Sequence, residues 1–295
     1  MAGRFAEQRV GVENSGMLKA LIFDVDGTLA ETERDGHRVA FNDTFRAAGL
    51  DWHWSVETYG SLINVAGGKE RIRHYINTVQ PPIPPDTDLD ILIAELHQAK
   101  THRYRTLLQT NGIALRPGVR RLITAARSAG VSLAIATTSH LDNAIALLEA
   151  TLGPDTLTWF EVIAAGDIVP HKKPAPDIYY YVLEKLALPP QHCLVIEDSH
   201  QGLTAATTAG LCTVITVNAY TRHHDFGPAS LVLSHLGEPD QPWEILQGPG
   251  IGHGPSEPVF DPPIFTLATA NTLLDSGYSG YQLKAGQISW GGVRS

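Results

Sequence analysis

Cysteine is scarce: Cys193 and Cys212 are the only two in 295 residues. Both lie in apolar runs, so they read as reduced core thiols, and a disulfide framework is excluded. Long apolar stretches are also lacking. The weakly polar run 203–219 is broken by Thr204, Thr207, Thr208, Thr213 and Asn218. It falls short of the roughly 18 unbroken apolar residues of a membrane span. Residues 1–16 are polar and mixed in charge, without the apolar core of a secretory signal. Basic residues are few, 22 against 31 acidic ones, for a net charge of −9. That balance argues against a general nucleic-acid binder and leaves room for a local basic pocket that takes a small anion. A cytoplasmic enzyme is the expected class. What is present is a 43% apolar chain, enough for about two domains of roughly 150 residues.

Short apolar runs recur at 18–23, 131–136, 160–164, 193–196 and 213–217, each followed by a turn and a helix-compatible stretch. Strands alternating with helices imply parallel crossovers, hence an α/β fold with a doubly wound parallel sheet, and ligands at the carboxyl ends of its strands. Asp24, Thr137, Asp167 and Asp198 fall at those ends. The first gap between strands is about 110 residues, where a simple crossover takes about 30. Residues 32–114 read as helices over 33–48, 67–79 and 88–108, with a proline-rich break at 81–85. The expected organisation is an α/β core of 17–31 and 115–236 with a helical cap, 32–114, inserted over the ligand edge. The segment 237–263 holds twelve Gly or Pro in twenty-seven residues. The extension 237–295 is therefore expected to be an appendage, poorly ordered or draped on the surface, with one helix near 267–274.

Asp24 and Asp26 flank Val25 directly after the first apolar run, in Phe23-Asp-Val-Asp-Gly-Thr-Leu29. Carboxylates at i and i+2 in extended chain share one small site. Crowded charges of one sign call for a cation between them or a proton on one. The result is a hard-cation site, a nucleophilic carboxylate and a second carboxyl for proton transfer. A calcium loop fails, because Leu29 and Asp35 stand where its Gly and Glu belong. Thr137 offers a hydroxyl to a phosphate, Lys173 a cation on a loop stiffened by Pro174 and Pro176, and Glu197-Asp198 further carboxylates. In the cap, Gly67-Gly68 opens a helix whose free amides would face an anion, beside Lys69 and Arg71. Glu33 and His37, four residues apart, share a helix face and suit sugar hydroxyls. Histidine spacing offers no zinc site, and Trp52 and Trp54 read as packing.

Asp24 to Thr28, Thr137, Lys173 and Glu197-Asp198, in that order, resemble the four motifs of the haloacid dehalogenase-like hydrolase superfamily over residues 17–236. Within it the chain is similar to the CbbY-type phosphatases of the β-phosphoglucomutase-like branch. The residues that carry this are 28–33 (Thr-Leu-Ala-Glu-Thr-Glu), 67–71 (Gly-Gly-Lys-Glu-Arg), 115–118 (Leu-Arg-Pro-Gly), 164–168 (Ala-Ala-Gly-Asp-Ile) and 220–222 (Tyr-Thr-Arg). The resemblance implies a Rossmann-like core, an inserted helical cap and Mg²⁺-dependent hydrolysis of a sugar phosphate, xylulose 1,5-bisphosphate above others, through an aspartyl-phosphate. It implies a metabolic link to Rubisco without direct contact. It assigns catalysis to Asp24, Asp26, Thr137 and Lys173, and Mg²⁺ to Asp24, Asp198 and the backbone carbonyl of Asp26, with Glu197 behind them. Substrate binding falls to Asp24, Glu33, His37, Gly67, Gly68, Lys69, Arg71, Thr137, Thr138 and Lys173. A phosphosugar mutase, a general small-phosphate phosphatase and a non-catalytic phosphosugar-binding protein stay open as alternatives.

Overall fold

The computed structural model describes residues 17–65, 67–248 and 263–276. Five of the apolar runs become strands: β1 (Ala20–Phe23), β2 (Ser132–Thr137), β3 (Val162–Ala165), β4 (Cys193–Glu197) and β5 (Cys212–Thr216). Two more, β6 (Leu231–Leu233) and β7 (Ile245–Gln247), widen the sheet. At three residues each they are too short to stand out as apolar runs. The order is β3-β2-β1-β4-β5-β6-β7, with parallel pairing as far as β6 and an antiparallel β7. From β1 the chain builds β2 and β3 on one side, then returns to place β4 on the other. The switch point between β1 and β4 is where a ligand site belongs in such a sheet.

Both faces of the sheet are buried, so β1 is apolar throughout. Leu21 and Phe23 pack with α5 (Val119–Ser128) and α6 (Leu141–Leu152), through Leu122, Ile123, Ala144 and Leu147. Ala20 and Ile22 meet α7 (Asp177–Leu186) and α8 (His200–Thr208), through Ile178, Tyr179, Ala205 and Ala206. No helix among the described residues is long and apolar enough to cross a membrane.

Between β1 and β2 lie α1 (Arg38–Ala47), α2 (Val56–Leu62), α3 (Gly68–Val79) and α4 (Leu89–Asn111). Their core is aromatic: Phe41, Phe45, Trp52, Trp54, Tyr59 and Tyr75. Trp54 has its ring 4.6 Å from that of Phe41 and 4.9 Å from that of Phe45, so Trp52 and Trp54 are packing residues. The chain enters α1 through a π-helical turn, Glu33–His37, where regular helix was expected. Such turns recur at functional sites. Gly36 permits this one, because a Cβ there would sit 2.6 Å from Ile113 and 2.7 Å from Tyr104. The outgoing and returning connections run side by side, with Ala30 bridged to Leu115 and Arg116 N donating to Leu29 O at 2.8 Å.

The described parts of the extension, 237–248 and 263–276, include the helix expected near 267–274. Phe265 is fully buried and its N–H donates to Leu236 O at 2.8 Å. The helix α9 (Leu267–Asp275) starts on a Thr266–Thr269 capping box and buries Ala270 and Leu273. Its Asn271 accepts from Leu18 N at 2.8 Å. Phe265, Ala270 and Leu273 share one buried cluster with Leu122 and Ile123 of α5. Residues 249–262 and 277–295 lie outside the described part.

Candidate active site

Asp24 is the first residue beyond β1, and its N–H donates to Ile196 O of β4 at 3.0 Å. Lys173 Nζ donates to Asp24 Oδ1 at 2.8 Å, to Ala136 O at 2.9 Å and to Glu197 Oε1 at 2.6 Å. One buried ammonium thus joins the ends of β1, β2 and β4. The other oxygen of Glu197 accepts from the Asp198 and Ser199 amides and the Ser199 hydroxyl, at 2.9 to 3.0 Å. Gly202, in the first turn of α8, lies so near that a Cβ would fall 1.7 Å from Glu197 Oε1. The Glu197 carboxylate is therefore used up in holding Lys173 and the start of α8. Asp198 points elsewhere: Oδ1 accepts from Thr28 Oγ1 at 3.3 Å and Oδ2 from Asn218 Nδ2 at 2.5 Å.

Asp24, Glu197 and Asp198 offer oxygens within 4.8 Å of one another, all buried. Lys173 is the ammonium among them. Burial raises Asp24 against the pull of Lys173, and Glu197 and Asp26 raise it further. Burial likewise raises Asp198 well above the carboxylate range, with Glu197 and Asp24 adding to it. Burial also opposes charge on Glu197, yet Lys173 and the two amides hold it below its usual value. Three buried carboxylates against one ammonium suit a divalent hard cation with oxygen ligands, which favours the ionised form of each.

Asp26 is set up differently. Thr32 Oγ1 donates to its Oδ1 at 2.5 Å, His37 Nε2 lies 3.0 Å from the same oxygen, and Ser139 Oγ donates to Oδ2. Burial opposes the charge, but His37 and these donors hold Asp26 well below the carboxylate range. Lys100 Nζ stands 2.9 Å from His37 Nδ1. With that nitrogen accepting from the ammonium, the ring proton sits on Nε2 and is donated to Asp26.

In the cap, Glu33 accepts from Tyr59 Oη and pairs with Arg71 at 3.5 Å. Arg71 also donates to Tyr59 Oη at 2.5 Å and to the carbonyls of Ile63 and Val65 at 3.4 Å. Its guanidinium is buried, and its Nε has no hydrogen-bond partner among the described residues. Gly67 and Gly68 open α3 as expected, and Lys69 is exposed at that helix start. Asp24, Asp26, Glu33, His37, Gly67, Gly68, Lys69, Arg71, Thr137, Thr138, Lys173, Glu197 and Asp198 all line one cleft of about 580 Å³. A second cavity, about 890 Å³, is lined by Arg116 and contains none of them.

The same cleft brings in Lys100 and Ser139, which sequence reasoning passed over. Lys100 left a readable trace: it continues the buried stripe Ile93, Leu96, Tyr104 and Leu108 of α4, where a lysine is out of place. Burial lowers its ammonium from 10.5 to about 8, although Glu33 opposes this. The sign follows from that depression. Below pH 8 the folded chain buries a charge that the unfolded chain leaves in water, so Lys100 costs stability there. The cost shrinks as pH rises from about 8 towards 10.5. Lys100→Met is therefore expected to raise the unfolding midpoint of the ligand-free protein at pH 7, by a free energy of a few kcal/mol. The gap to wild type should close in denaturation series run at rising pH. A variant less stable than wild type at pH 7 would contradict the assignment.

A family model described as haloacid dehalogenase-like hydrolase matches residues 18–210. Protein CbbY of Rhodobacter capsulatus is 52% identical over 213 residues, which cover 72% of this chain and 91% of that one. Protein CbbY of Cereibacter sphaeroides is 46% identical over 222 residues, covering 75% and 94%. A crystal structure of a CbbY variant from Rhodobacter sphaeroides in complex with xylulose-(1,5)bisphosphate superposes with a TM-score of 0.69 at 46% identity, covering 74% of this chain and 95% of that one. A putative β-phosphoglucomutase from Thermotoga maritima superposes at 0.54 and 27% identity, covering 68% and 87%. The buried carboxylates at the switch point, the clamping lysine and the helical insertion above them thus occur in a chain that belongs to the haloacid dehalogenase-like hydrolases.

Proposed function

We propose that the protein is a Mg²⁺-dependent phosphatase that hydrolyses a sugar bisphosphate, xylulose 1,5-bisphosphate before others, through a covalent intermediate on Asp24. The observation that carries this reading is the shared cleft. The core contributes Asp24, Asp198 and Lys173 to its lining, and the helices between β1 and β2 contribute Lys69, Arg71, Lys100 and the start of α3. The core residues suit the transferring phosphate and the cap residues suit a second one. The xylulose bisphosphate bound by the similar Rhodobacter sphaeroides protein supports the choice of substrate. The same reading carries a cytoplasmic location and a metabolic link to Rubisco.

The chemistry follows from the positions. A carboxylate oxygen of Asp24 attacks phosphorus in line, and the bond from phosphorus to the sugar oxygen breaks. Lys173 and the Thr137 hydroxyl offset charge on the equatorial oxygens. The Asp24 and Asp198 carboxylates and the Asp26 carbonyl would hold Mg²⁺, which when bound would supply further neutralisation of those oxygens. Asp26 gives a proton to the leaving alkoxide, then takes one from the water that cleaves the acyl phosphate and frees Asp24. In the ligand-free protein Asp26 is ionised, so it gains its proton only once a phosphate dianion lies beside it and raises its proton affinity. His37 and Lys100 hold the carboxylate in place throughout.

Turnover of a panel of sugar phosphates, with and without Mg²⁺, tests the function. The bisphosphate should be the best substrate and chelation should abolish activity. Lys69→Ala should lower kcat/KM for the bisphosphate by about 10- to 100-fold, as for a lost charge-assisted contact. Small monophosphates should be untouched by it. Wild type that prefers monophosphates, or that converts hexose phosphate isomers without releasing phosphate, would replace this reading with a general phosphatase or a mutase.

The role of Asp26 has its own signature. Asp26→Ala should slow hydrolysis of sugar phosphates by about 10² to 10⁴, the usual worth of a positioned acid–base. An aryl phosphate, whose phenolate leaves without a proton, should lose far less. Equal losses on the two esters would remove Asp26 from proton transfer.

A further inference from the structure

We propose that Asn218 is a positioning residue that fixes the Asp198 carboxylate, so that Oδ1 is the oxygen turned to the metal. The inference rests on the metal reading above and extends it to a residue outside the four motifs. Asn218 follows β5, and its Nδ2 donates to Asp198 Oδ2 at 2.5 Å, with both side chains buried. The direction of this amide is set by its other end. Asn218 Oδ1 accepts from the backbone amides of Tyr220 at 2.9 Å and Thr221 at 3.2 Å. A flipped amide would face those two N–H groups with its own donors. The Nδ2 end is therefore committed to Asp198.

The backbone that carries Asn218 is equally well held. Its N–H donates to Thr221 Oγ1 at 3.0 Å. The buried Arg116 binds the Thr216 carbonyl at 2.9 Å, the Val217 carbonyl at 2.5 Å and the carbonyl of Gly27. One guanidinium thereby ties the end of β5 to the loop that bears Asp24 and Asp26. Gly27 lets that loop lie against the pair: at φ +88°, a Cβ there would fall 2.5 Å from Asp198 Oδ2 and 2.6 Å from Asn218 Nδ2. Asp198 Oδ2 is thus taken by a short hydrogen bond. Among the described residues Oδ1 has only the Thr28 hydroxyl at 3.3 Å, and it is the oxygen left to coordinate. Outer partners that orient a ligating carboxylate are typically worth about 10- to 100-fold in metal affinity.

Asn218 also closes a turn, and the test must separate the two roles. Asn218→Ser keeps an oxygen for the Tyr220 and Thr221 amides, as Ser turns do, and cannot reach Asp198. Thr221→Val loosens the same turn and leaves the Nδ2 donor intact. Calorimetric titration of the full chain with Mg²⁺ should show about 10- to 100-fold weaker binding for Asn218→Ser. Its metal-free Tm should stay near wild type, and kcat should be restored by saturating Mg²⁺. Thr221→Val should lower Tm and keep the Mg²⁺ affinity. Asn218→Ala, which gives up the turn as well, should show the same Mg²⁺ defect with a larger drop in Tm, and serves if the serine variant does not fold. Wild-type Mg²⁺ affinity in Asn218→Ser, or an equal defect in Thr221→Val, would reduce Asn218 to a turn residue. A wild type that binds no Mg²⁺ would overturn the metal reading itself.

Discussion

The Lys173 ammonium is the interaction on which the site depends. It bonds Asp24 and Glu197 at 2.8 and 2.6 Å and the Ala136 carbonyl at 2.9 Å, all in the protein interior. Burying a lone ammonium, or three carboxylates without one, would cost several kcal/mol per charge. Together they hold three strand ends in register. The division of labour between the acids comes from how each is satisfied. Glu197 spends its second oxygen on the start of α8, Asp198 is left with a weakly bonded Oδ1, and Asp24 shares only the lysine. The acid with the fewest fixed partners, Asp24, is the one the proposed reaction uses as nucleophile.

The cap repeats this pattern with the signs exchanged. Arg71 and Lys100 are cations inside an aromatic helical cluster, with Lys100 Nζ 4.9 Å from the Phe41 ring centroid and 5.5 Å from that of Tyr104. Arg71 is balanced by Glu33, whereas Lys100 Nζ lies 2.9 Å from His37 Nδ1. Charge built into a low-dielectric wall acts more strongly on an incoming anion than charge on the surface. Two connections joined at Ala30 and Leu115 let this wall face the acids across the cleft.

Much of this was legible before folding, for definite reasons. The apolar runs of β1, β2 and β4 end at polar residues that line one cleft, so the ends of those runs brought Asp24, Thr137 and Asp198 together. Lys173 was legible because the prolines after it announce a stiff loop. Thr32, Ser139 and Asn218 were not, since a hydroxyl or amide becomes a partner of Asp26 or Asp198 only through approach across 6, 113 and 20 positions. Arg71 was expected to face an anion freely and is in fact shared with Glu33 and Tyr59. Spacing along a helix shows a face and not the partner opposite it. The helix near 267–274 was legible, but its burial was not: composition over 237–263 describes the connection, while Phe265, Ala270 and Leu273 decide the packing.

The central claim is that the carboxylates are unequal, with Asp198 holding the cation and Glu197 holding the lysine. Mg²⁺ titration of Asp198→Asn and Glu197→Gln by calorimetry, alongside their unfolding midpoints, tests it most directly. Asp198→Asn should lose Mg²⁺ binding and keep or gain stability in the metal-free state. Glu197→Gln should unfold at a lower temperature, with Mg²⁺ still bound below its midpoint. Wild-type Mg²⁺ binding in Asp198→Asn, together with its loss in Glu197→Gln, would contradict the account.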